Sequence, residues 1–212
     1  MQAYHNSREH IFDELRLLYL RLRARIEREK EEQAQTGHNE YRGLVLSEGE
    51  IVALLQSLAD GAGDKVTGES KEAQGLLSEV KTLENEIAAR LKESLEQGVW
   101  LSLYEIEKRF ELTPFDTDVI VLCLAPELDL NYERLYSYLQ NDITSKRPTI
   151  DMVFRLFCET MGQRVRARAR FTGQAPLFRH QLVSLNGAMP LQLWTIQRTV
   201  EGVAELVQWL KD

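Results

Sequence analysis

Two runs of apolar residues at helical spacing constrain this chain more than any other feature. Ile11, Leu15, Leu18, Leu22 and Ile26 recur at intervals of 4-3-4-4, and Leu76, Val80, Leu83, Ile87, Leu91 and Leu95 recur at 4-3-4-4-4. An α-helix turns once in ~3.6 residues, so each run forms a stripe along one side of a helix. The spacing predicts two long helices, over about residues 7–34 and 71–97, each needing a partner for its stripe. An antiparallel hairpin within the chain satisfies both, and so does a coiled coil between chains. Ser7 is placed to cap the first helix. Beyond Ile26 the run EREKEEQAQ has no apolar side, so Glu27–Glu32 are expected to be solvated or to project from the body. Ser47 and Glu50 form a capping box for a short helix that ends near Gly61, and GAGDKVTGES at 61–70 reads as a polar linker.

After Gly98 the pattern shifts to short, aromatic, densely apolar helices. Ser102 with Glu105 predicts a capped helix through Phe110. Thr113-Pro114 predicts a helix with proline in its first turn, stopped by Pro126. Asn131 opens YERLYSYLQ, with Leu135, Tyr138 and Leu139 facing inward, and Thr149 caps a helix that Gly162 ends. RVRARARF then alternates at period two, with Arg164, Arg166, Arg168 and Arg170 opposite Val165, Ala167, Ala169 and Phe171. That favours a strand with one wet face, although Ala and Arg also suit a helix. Pro176 begins a helix through LFRHQLVSL, Asn186-Gly187 marks a turn, residues 191–196 alternate as a second strand, and a closing helix spans about 199–211. The expected fold is mainly α. Residues 1–97 form a long-helix hairpin, and residues 98–212 form a winged-helix-like body with a small two-stranded element.

Chemistry-bearing motifs are scarce. There is no GxxxxGK[ST], HExxH or GxSxG, and GAGD at 61–64 lacks the preceding strand and third glycine of a dinucleotide loop. Histidines 5, 10, 38 and 180 are scattered, and Cys123 and Cys158 lie in apolar surroundings as free, buried thiols. Asp116, Asp118, Glu127 and Asp129 flank an apolar helix and read as capping and turn residues rather than an acid–base pair. No catalytic, cofactor or metal residue is therefore assigned. A polar N-terminus and the lack of a long apolar run predict a cytoplasmic protein without a membrane span.

Charge is unevenly spread. The chain carries a net −7, yet residues 146–180 hold eight Lys/Arg against two acids, directly after residues 96–142 with ten acids against three bases. The arginines at 164, 166, 168 and 170 are the candidate partner-binding residues. They could grip a phosphate backbone, dock on an acidic protein surface, or form a solvated face paired with the acidic segment. The acidic whole argues against a polyanion.

Four blocks carry a resemblance: FELTPFD at 110–116, APELD at 125–129, YLQND at 138–142 and KRPTID at 146–151. They resemble the winged-helix-containing region that precedes the ATPase module in bacterial AAA-type ATPases, including those encoded beside contractile injection systems. The resemblance implies a non-catalytic N-terminal domain that recruits a protein partner or substrate, or positions the ATPase ring. ATP and magnesium would belong to a following module, as would any hexamer. With no P-loop in the sequence, the chain is expected to be a fragment ending at a domain boundary, with a stand-alone relative as the alternative. No nucleotide-binding residue is carried over, because no position matches. A nucleic-acid-binding module and a structural coiled-coil oligomer are the alternatives.

Overall fold

A computed structural model describes residues 2–36, 71–186 and 195–197. The expected helix near 47–60, the linker at 61–70, the turn at Gly187, strand residues 191–194 and the closing helix lie outside the described residues. The helices are α1 (Ser7–Thr36), α2 (Lys71–Glu96), α3 (Ser102–Arg109), α4 (Pro114–Leu128), α5 (Asn131–Leu139), α6 (Ile150–Phe157), α7 (Met161–Arg168) and α8 (Pro176–Arg179). A 3₁₀ turn at Ala169–Phe171 follows α7. Strands β1 (Ser184–Asn186) and β2 (Thr195–Gln197) pair antiparallel, with Leu185 opposite Ile196. The described chain is thus mainly helical with one small two-stranded element, as the sequence predicts.

Helices α1 and α2 form the expected antiparallel pair. The Tyr4 amide donates to Ser94 Oγ at 2.7 Å, and Arg21 meets Glu84 at 2.8 Å. The stripe of α2 finds its partner on a different side of α1 than its twin. Leu76, Val80, Leu83 and Ile87 pack on Leu17, Leu20 and Ala24. The matching α1 stripe turns to the rest of the molecule: Leu18 and Leu22, with Leu15 and Ile26, join Val119, Leu122 and Met152, and Ile11 meets Leu124. Burying one apolar face needs one neighbour. α1 has two such faces and two neighbours.

Helix α4 is apolar nearly all round and is buried from Val119 through Pro126. Pro126 does not stop it, and the helix runs on to Leu128. A proline inside a helix removes the bond to the carbonyl four residues back, here Leu122. The Tyr136 hydroxyl donates to that same carbonyl at 2.7 Å, so the freed acceptor is satisfied from α5. Tyr136 and Leu139 are the inward residues of α5, whereas Leu135 is half-buried and Tyr138 exposed. Leu128 and Leu130 are exposed as well.

Several caps differ from expectation. Asn6, not Ser7, caps α1, accepting from the Glu9 amide at 3.1 Å. Ser7 Oγ instead donates to the Trp100 carbonyl and accepts from the Ser102 amide, at 3.3 and 2.9 Å. That stitch replaces the expected Ser102–Glu105 box, and Ser102 lies inside α3. Thr113 and Asp116 form a capping box at α4, and Thr149 caps α6 as expected. α6 ends at Phe157, and Cys158 is extended. Gly162 falls within α7 instead of ending α6.

The largest correction concerns residues 164–170, which do not form a strand. Thr160 and Gln163 make a reciprocal capping box, Thr160 Oγ1 accepting from Gln163 N at 3.1 Å and Gln163 Oε1 from Thr160 N at 3.0 Å. Two satisfied first-turn donors start a helix, and Ala and Arg are good residues to continue one. α8 is shorter than expected. Gln181 takes a left-handed conformation (φ 56°), which turns the chain into β1.

Candidate interaction surfaces

Helix formation dismantles the arginine stripe. Residues four apart share a side of a helix and residues two apart lie about 200° round it, so Arg164 and Arg168 face away from Arg166. Arg164 is half-buried beside Cys158, whose thiol is pushed up by burial while Arg164 pulls it down. Arg168 is also half-buried. Arg166 is exposed. Among the described residues, neither Arg164 nor Arg166 has a carboxylate within salt-bridge distance. Arg170 lies past the end of α7 and reaches back to the capping box of α4. Its Nε donates to Asp116 Oδ1 at 3.0 Å and a terminal nitrogen to Oδ2. Asp116 is fully buried and also accepts from the amide and hydroxyl of Thr113, at 2.8 and 2.7 Å. Arg170 is therefore a structural residue.

Three more cations of the basic segment meet carboxylates of the chain. Arg147 meets Glu127 at 3.2 Å and Glu133 at 3.8 Å, and Lys146 meets Glu133 at 3.7 Å. Arg155 bridges Asp151 and Glu29, at 2.5 and 3.5 Å. Glu29 also takes Arg25 at 3.2 Å and is buried, so the charged end of α1 does not simply project into water. Its contacts with the body are ionic, which apolar periodicity does not reveal. Of the reading that the basic segment pairs with acids of its own chain, Lys146, Arg147, Arg155 and Arg170 are instances.

A second ionic cluster closes the α1–α2–α4 junction. Arg21 lies between Glu84 and Asp118, 2.8 and 2.6 Å away. Burial pushes the Asp118 carboxyl up to about 6, against the opposing pull of Arg21. At the other end Arg90 meets Asp13 at 2.5 Å and lies over the Tyr4 ring, 3.9 Å from its centroid. Both cysteines are buried, and burial pushes the Cys123 thiol up to about 12. Among the described residues no group of three or more His, Cys, Asp or Glu side chains converges as a metal site, and no helix is long and apolar enough to cross a membrane.

The third side of α1 is open. Arg8, Phe12, Arg16, Tyr19 and Arg23 are all exposed, with Phe12 at 60% and Tyr19 at 47%. Arg8 and Arg16 have no carboxylate within salt-bridge distance among the described residues, and Arg23 touches exposed Glu72 at 3.8 Å. The 4-4-3-4 spacing of these five residues is visible in the sequence. Tracing apolar residues alone passes over it, because the face mixes cations with aromatics.

A profile of the family described as "Winged helix domain, variant" matches residues 1–201. No match was found among curated proteins or among solved structures. The match spans both the long helices and the smaller body, and the chain belongs to this variant winged-helix-domain family.

Proposed function

We propose that this chain is a non-catalytic recruiting domain that binds a protein partner and works beside an AAA-type ATPase module. One observation carries the preference for protein over nucleic acid. Arg170 is locked by two nitrogens onto fully buried Asp116, and Lys146, Arg147 and Arg155 also meet carboxylates of the chain from partly or largely exposed positions. A cation in a bidentate buried pair is not available to displace counterions from a phosphate backbone. The net charge of −7 opposes a polyanion at longer range. The link to an ATPase rests on the resemblance of the blocks at 110–151. ATP, magnesium and any hexameric ring belong in this reading to that module.

A nucleic-acid-binding role is the second reading, favoured by Arg164 and Arg166, which have no carboxylate partner among the described residues. An anisotropy titration of the chain with a fluorescein-labelled DNA duplex at low salt separates the two. The expected result is no saturable binding. Tight binding that weakens steeply with salt and with Arg164→Ala and Arg166→Ala would overturn the protein-recruiting reading.

A further inference from the structure

The open side of α1 has a composition and a repeat that select a class of partner. With a turn every ~3.6 residues, Arg8, Phe12, Arg16, Tyr19 and Arg23 fall within an arc of about 80°. The other two sides of the helix are occupied, one by α2 and one by the α4–α6 core. Phe12 and Tyr19 are seven residues apart, about 10 Å along the axis, and the guanidiniums of Arg8 and Arg23 are carried about 22 Å apart. Ile11, the residue before Phe12, packs on Leu124 of α4. Beside Tyr19, the Tyr132 hydroxyl donates to the Leu15 carbonyl at 3.4 Å and anchors α5 along this edge.

Two aromatics seven residues apart match one heptad of a second helix laid along the first. The arginines a turn before and after each aromatic, Arg8 and Arg16 about Phe12 and Arg16 and Arg23 about Tyr19, match acids bordering an apolar seam on the partner. A nucleic-acid duplex is a poorer match, since it presents a charge every ~1.7 Å of its axis and the stripe offers three guanidiniums over ~22 Å. A partner helix with a few acids meets only the stripe, so the acidic remainder of the molecule is screened beyond ~8 Å at physiological salt. We infer that the outer face of α1 (Arg8, Phe12, Arg16, Tyr19, Arg23) is the docking site for an acidic amphipathic helix of a protein partner. This rests on the protein-recruiting reading and names its site.

The test is an anisotropy titration of the full chain with a labelled, lactam-stapled helical peptide bearing heptad leucines flanked by glutamates. A second peptide has every glutamate replaced by glutamine. The expected result is saturable binding of the first peptide. That binding should weaken about tenfold or more for the glutamine peptide, for Arg8→Glu with Arg16→Glu, and separately for Tyr19→Ala. Lys92→Glu, an exposed charge reversal on α2, should leave it unchanged. All these side chains are exposed, and unchanged melting curves check that each variant folds. Absence of saturable binding, or binding indifferent to the α1 substitutions, overturns the assignment of this face. So does an oligothymidylate that binds more tightly and is lost with the same substitutions. A failed peptide titration together with no duplex binding rejects the docking site alone, whereas arginine-dependent duplex binding at α7 rejects the recruiting role itself.

Discussion

Asp116 has no exposed surface, and its charge is tolerated because four donors reach it, two from Thr113 and two from Arg170. Removing one partner of a buried ion pair strands the other charge, at a cost of about 3–5 kcal/mol. Arg170→Ala should therefore destabilise the chain by about 3 kcal/mol or more in urea unfolding, while exposed Arg166→Ala changes stability by no more than ~0.5 kcal/mol. Equal effects of the two would contradict the division of the arginines into structural and surface residues. Arg170→Lys should recover only part of the loss, since an ammonium cannot reproduce the two-pronged guanidinium contact. The capping role of Asp116 is legible in the order Thr113-Pro114-Phe115-Asp116, because a capping box is local. Its partner 54 residues later is not, because nothing in the alternation around Arg170 distinguishes that arginine from its neighbours.

Helix α4 continues through Pro126 because α5 supplies what the proline removes. The Tyr136–Leu122 bond makes a specific expectation about coupling between the two helices. Tyr136→Phe should cost about 1–2 kcal/mol, since it leaves a buried carbonyl unsatisfied. In a Pro126→Ala background the alanine amide can donate to the same carbonyl, and the cost of Tyr136→Phe should shrink. A double-mutant cycle by chemical denaturation measures this, and additive costs would contradict it. The same distinction explains which elements the sequence reveals. α1, α2, α4 and α6 follow from apolar spacing and local caps, all within one or two turns of chain. The passage through Pro126 depends on a tyrosine ten residues away. The period-two alternation at 164–171 does not make a strand because the Thr160–Gln163 box, equally visible in the sequence, starts a helix there.

At the scale of the whole molecule, α1 is the shared element. One side holds α2, a second enters the core around α4, and the third is lined by exposed arginines and aromatics. Of its two inner sides, the Ile11–Ile26 run is legible as an apolar stripe, and the Leu17, Leu20 and Ala24 side that meets α2 is not. Which run meets which neighbour is not legible either, because both stripes have the same period and only the packed structure distinguishes them. The outer side is legible as spacing, but its exposure follows only once the other two are filled. Recruitment of protein through α1, with α7 uninvolved in gripping nucleic acid, is tested most directly by site-specific cross-linking. A benzophenone amino acid would replace Phe12 in one version of the full chain and exposed Val165 of α7 in another, each in cells that naturally make the protein. The expected result is a protein adduct at position 12, mapped by mass spectrometry to an acidic helical segment of the partner, and no nucleic-acid adduct at position 165. A nucleic-acid adduct at 165 with no protein adduct at 12 would contradict it.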